Sequence, residues 1–115
     1  MKKLFTSYFG RRNKDHVPVQ IASYAPKSWN PPGKLFEPSL VWRHFTNRKK
    51  FVGDWRVDYN AQLSEMLATG ELQAIIDRLP EGAVMLCWER DPATCHRTEL
   101  ANFLNQHRLA AVTEI

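Results

Sequence analysis

The sequence predicts an α/β domain, small, three-layered and Rossmann-like, with a mostly parallel sheet of about four strands. Two observations carry this. Residues 83–88, Ala-Val-Met-Leu-Cys-Trp, form an apolar run of strand length without a charge, as in a strand covered on both faces. An Asp91-Pro92 helix start, a periodic segment and an apolar terminal segment follow it. A strand–helix–strand ending of this kind predicts parallel neighbours joined by a right-handed crossover.

The elements follow in order. Residues 3–9 alternate weakly and read as the first strand, and 17–24, rich in β-branched residues around Pro18, as the second. Pro26, Pro31, Pro32, Gly33 and Pro38 then break regular structure, opening a connection through residue 56 in which 40–45 reads as a short helix or turn. Residues 59–67 have helical spacing through Leu63, Met66 and Leu67, with Gly70 as the C-terminal cap. Leu72, Ile75, Ile76 and Leu79 define a further helix, stopped by Pro80 and Gly82. After the 83–88 strand come a helix over 92–107 and a last strand over 110–115.

At 115 residues and 43% hydrophobic content, the chain suits one domain with one core. It contains no apolar run of bilayer-spanning length and no signal-peptide core, so a cytoplasmic protein without a membrane partner is expected. Two cysteines eight positions apart across a strand-to-helix turn make a poor disulfide framework, and both read as free thiols. The net charge of +4 is uneven: Lys2, Lys3, Arg11, Arg12 and Lys14 cluster early, and Arg43, His44, Arg48, Lys49, Lys50 and Arg56 form a second group. Such asymmetry points to an anionic partner, a small molecule or a nucleic acid; a solvated basic loop would carry the same signature.

The turn after residue 88 holds the densest chemistry. A helix begun at Pro92 with Leu100, Phe103 and Leu104 on its buried stripe brings His96 and Arg97 within roughly 60° of that stripe. Cys95 falls roughly 140° away, on the flank. His96, Arg97 and Glu89 are therefore the candidate catalytic group, His96 as acid or base and Arg97 as a phosphate or carboxylate clamp. Asp91 caps the helix, whose N-terminus stabilises anions. Tyr8, Ser7 and Tyr24, near the ends of the first two strands, share this carboxyl edge and join Cys95 and Asp91 as candidate ligand contacts. An alternative nucleic-acid surface comprises Trp42, Arg43, Arg48, Lys49 and Lys50, with Trp29, Trp55 and Trp88 as further stacking platforms. No metal site is expected, because adjacent Cys and His on a helix diverge by about 100°. Nothing in the sequence calls for a cofactor.

The pattern Leu86, Cys87, Glu89, Asp91, Pro92, Cys95, His96 and Arg97 resembles the signature of the family catalogued as domain of unknown function 488, over about residues 83–104. The resemblance implies a small Rossmann-like domain and supplies no activity to carry over. Longer members open with a strand ending in Gly-His-Ser and a second ending in Asp-x-Arg. Here Thr6-Ser7-Tyr8-Phe9 and Ala22-Ser23-Tyr24-Ala25-Pro26 stand instead, so the chain resembles a shorter variant.

Overall fold

The sheet is ordered around β4 (Val84–Cys87) in the computed structural model, which describes residues 1–11 and 15–115. Every residue of this strand is buried, as its uninterrupted apolar run predicts for a strand covered on both faces. β4 pairs in parallel with β1 (Lys3–Tyr8), Phe5 opposite Val84 and Tyr8 opposite Cys87. On its other side it pairs with β2 (Pro18–Gln20), Pro18 opposite Val84. β3 (Leu35–Phe36) extends the sheet beyond β2, and β5 (Ala111–Glu114) beyond β1. The order is β3-β2-β4-β1-β5, parallel throughout.

The α/β expectation therefore holds, with one strand more than predicted. The additional strand is only two residues long, behind the Pro31-Pro32-Gly33 punctuation that hides any periodicity. The expected adjacency of the last two strands is corrected: β1 lies between β4 and β5. The β5 side supplies the acceptors that the buried Thr6 and Ser7 of β1 require. The Thr6 hydroxyl donates to the Glu114 carboxylate at 2.7 Å, and the Ser7 hydroxyl to the Ile115 carbonyl at 2.9 Å.

α1 (Trp55–Thr69) begins at Asp54, whose carboxylate accepts from the Arg56 amide at 2.9 Å. It ends at Gly70, held at φ +83°, the left-handed conformation of a C-cap. The helix starts earlier than predicted because Asp54 supplies a cap inside what reads as a basic run. α2 (Glu71–Arg78) follows directly, its buried Leu72, Ile75 and Ile76 forming one stripe. α3 (His96–Gln106) packs on β1, β4 and β5, with α1 against it and α2 against α1. The expected turn at 40–45 is replaced by two 3-10 turns, Pro38–Leu40 and Phe45–Lys50. Of the early basic group, Lys2 donates to the Ile76 and Asp77 carbonyls, whereas Arg12 and Lys14 lie outside the described residues. Among the described residues no helix is long and apolar enough to cross a membrane.

The edge strand β5 is tied to α3 by Asn105. Its side chain accepts from the Val112 amide at 2.8 Å and donates to the Val112 carbonyl at 3.0 Å, standing in for a further strand. Asn105→Ala should therefore cost about 1–3 kcal/mol in urea unfolding and accelerate amide exchange at Val112. Unchanged exchange there would refute this role.

Candidate functional site

The turn between β4 and α3 is built around Arg97, which is fully buried. Its Nε donates to Glu114 Oε1 at 3.0 Å and one Nη2 hydrogen to Glu114 Oε2 at 3.0 Å, a forked ion pair with β5. The other Nη2 hydrogen reaches the Arg90 carbonyl at 3.2 Å, and Nη1 serves the Glu89 carbonyl and Cys87 Sγ, the latter at 3.3 Å. All five guanidinium N–H groups are thus engaged. Arg97 holds the strand end, the turn and β5 together and faces away from the cavity described below, leaving no donor for a ligand phosphate.

The single helix expected over 92–107 is two elements. Asp91 accepts from the Ala93 amide at 3.0 Å and caps a 3-10 turn, Pro92–Thr94. Cys95 then stands extended at φ −115° and ψ 142° before α3 begins at His96. The break corrects two expectations. Cys95 is buried rather than on a helix flank, because helical phase does not apply to an extended residue. The two cysteines are not free thiols: the extended backbone points Cys95 at Cys87, and they are joined in a disulfide with Cα atoms 7.1 Å apart.

His96 turns inward, as its helical phase predicts. Its Nε2 lies 2.7 Å from the Ile21 carbonyl, which can only accept, so Nε2 carries the proton and Nδ1 presents its lone pair to Cys95 Sγ at 3.9 Å. The Phe45 and Tyr59 rings pack against it in T-shaped contacts. Burial pushes its pKa down to about 4, and the imidazole is neutral at pH 7.

In front of His96 lies a cavity of about 250 Å³. Glu89 and Thr94 of the β4–α3 turn and His96 at the start of α3 form one wall; the other is formed by Trp42, Phe45, Arg48, Lys49, Phe51 and Gly53 of the connection before α1 and by Trp55, the first residue of α1. Two contacts hold the walls together, and a third ties the connection to α1. Arg48 forms an ion pair with Glu89 and lies over the Phe45 ring. Arg56 covers the Trp55 ring at 4.5 Å and donates to the Ala93 carbonyl at 2.7 Å. Trp42 Nε1 donates to Asp58 at 2.8 Å, fixing the connection to α1. Arg43 also grips Asp58, and that hydrogen bond is the main reason the carboxyl is held below its ordinary pKa. Lys49 and Lys50 are exposed, and among the described residues neither forms an ion pair.

Two candidate sets that looked separate in sequence thus face each other: His96 and Glu89 on one side, Trp42, Arg48 and Lys49 on the other. Arg97, Cys95 and Ser7 stand behind the sheet edge with protein partners. Asp91 is occupied as a cap, Tyr8 is half-buried beside Gly10, and exposed Tyr24 packs on Phe45 and Trp88. Trp29 and Trp88 both meet Phe9, away from this cavity. Phe45, Phe51, Gly53 and Thr94 are lining residues the sequence reading missed. Aromatic side chains interleaved with cations through 42–55 were the available signal.

Residues 38–104 match the family described as Domain of unknown function DUF488, a span that includes both cavity walls. No curated protein and no solved structure matches the chain.

Two outcomes follow from this geometry. Arg97→Met leaves Glu114 with the Thr6 hydroxyl but without its counter-ion, and two carbonyls without their donor, and should cost about 3 kcal/mol or more in chemical denaturation, with Arg97→Lys recovering little because an ammonium cannot reproduce the fork. An Arg97→Met protein as stable as wild type would contradict the assignment. For His96, the unfolded ring titrates near 6.5 and the folded one near 4, so the unfolded state alone takes up the proton in between. Its contribution is therefore complete above about pH 6.5 and lost as pH falls towards 4, by about 3 kcal/mol. The wild-type minus His96→Gln difference in unfolding free energy, measured from pH 7.5 to 4.5, should show this fall.

Proposed function

The chain belongs to the DUF488 family, and from that premise we propose that it binds a phosphate-bearing small molecule of nucleotide type in the cavity at the carboxyl end of β4. One observation carries the reading: four aromatic side chains wall a cavity whose rim holds Arg48 and Lys49. A planar ring stacks between Trp55 and its neighbours, while Arg48 and the exposed Lys49 meet the phosphate. The volume, about 250 Å³, is small for a ligand site and suits a mononucleotide better than a dinucleotide. Its position agrees with the rule that open parallel sheets bind ligands beyond their carboxyl ends. The anion contacts come from the connection rather than from Arg97 and the helix start. The reading is of binding, in a cytoplasmic protein, and assigns no reaction.

A second reading, binding to nucleic acid, has the exposed Lys49 and Lys50 beside the same aromatic wall in its favour. Arg43 is already held by Asp58, which leaves a smaller cationic surface than the sequence suggests.

Titration calorimetry against purine and pyrimidine mononucleotides tests the first reading. Trp55→Ala should weaken binding roughly 5- to 150-fold through lost stacking, with Lys49→Ala weakening it less and flattening a shallow salt dependence. Absence of binding by every mononucleotide would sink it. For the second reading, retention of single-stranded DNA or RNA should fall steeply with salt and vanish in the Lys49→Ala/Lys50→Ala double variant.

A further inference from the structure

We propose that the reduced chain holds a thiophilic divalent metal ion, of the zinc class, on Cys87, Cys95 and His96. Their ligand atoms, two sulfurs and the His96 Nδ1, all lie within 4.8 Å of one another and all three residues are buried. The convergence comes from the break in the helix. With Cys95 extended and His96 at the first helical position, adjacent side chains that would diverge on a helix point to one place.

Three further features fit an ion. His96 donates Nε2–H to the Ile21 carbonyl, the outer contact that metal-bound imidazoles usually make, and this aims the Nδ1 lone pair at the sulfurs. Arg97 donates to Cys87 Sγ at 3.3 Å, which favours the thiolate that a metal requires. The Cα atoms of the cysteines are 7.1 Å apart, wider than the roughly 4.4–6.8 Å usual for a disulfide, and side-chain rotation gives room for an ion between the sulfurs. Charge also balances: two thiolates neutralise a divalent ion beside the paired Arg97 and Glu114, so no net charge is buried. Among the described residues no fourth His, Cys, Asp or Glu joins the group, which leaves one position to an exogenous ligand, as in open zinc sites.

The chemistry has two steps. An external dithiol reduces the Cys87–Cys95 disulfide, becoming a disulfide itself and leaving two protein thiols. The ion then binds both sulfurs and Nδ1, displacing the two thiol protons to solvent.

The test uses the full chain, reduced under anaerobic conditions, freed of reductant and titrated with Co2+ while circular dichroism confirms that it is folded. A sulfur-to-cobalt charge-transfer band should grow to saturation at one ion per chain and be bleached by equimolar Zn2+. The disulfide form should give no such band. Cys95→Ser should lose most of the band, and His96→Gln should retain a weaker, shifted one with reduced affinity. Folded, reduced wild type without the band, or Cys95→Ser with an undiminished one, would overturn the proposal. Equilibrium dialysis against Zn2+ on reduced wild type decides the matter should a variant fail to fold: retention of one Zn2+ supports the site, and none refutes it.

Discussion

The buried guanidinium of Arg97 is the constraint on which the rest of this structure depends. Removing such a charge from water costs several kcal/mol, and the cost is offset only when a carboxylate and a full set of acceptors surround it. Glu114, two turn carbonyls and Cys87 Sγ provide that set. Because the acceptors come from the end of β4, the turn after it and the end of β5, satisfying one side chain fixes three segments at once. A lysine could not replace it, since a compact ammonium cannot serve a forked carboxylate and divergent carbonyls together.

With the turn fixed, the connection before α1 has a surface to dock on. This segment has little regular structure, and beyond the backbone hydrogen bonds of its own turns it is held by side chains of α1 and of the turn. Tyr59 donates to the Leu40 carbonyl, Gln62 to that of Val41, Trp42 to Asp58, and Arg48 pairs with Glu89. The first two satisfy backbone carbonyls that a helix or strand would pair internally, and the other two tie side chains of the connection to α1 and the turn. The aromatic residues between them then have one side against the core and the other towards the cavity, so the same packing that orders the connection creates the cavity wall.

This division explains what the sequence disclosed. β1, which buries the polar Thr6 and Ser7 beside Leu4, and β5, which buries Val112 alone, were read from weak alternation and from their place in the chain, whereas β2, β4 and the three helices were legible because each buries a periodic or continuous apolar set that local spacing encodes. The inward aim of His96 was legible for the same reason. Cys95 was not, since Asp91-Pro92 announces a helix start without saying that the first turn is 3-10 and stops at Thr94. The family signature marked the β4–α3 turn and left the opposite wall unmarked. That wall depends on pairs such as Arg48 with Glu89, 41 positions apart, which no window of local pattern can register.

The contrast between two arginines decides where an anion is met. Arg97 has every donor engaged in a buried network, and withdrawing it would strand Glu114 and open the turn. Arg48 has 48% of its side chain exposed and pairs with one carboxylate, an arrangement worth about 0–1 kcal/mol. An incoming phosphate can share or take over that guanidinium at little cost, and Glu89 can return to solvent contact when it does. On the proposed function, the arginine that the sequence favours as the clamp is the one that shapes the site. The arginine that the sequence assigns to a separate basic surface is the one free to change partners.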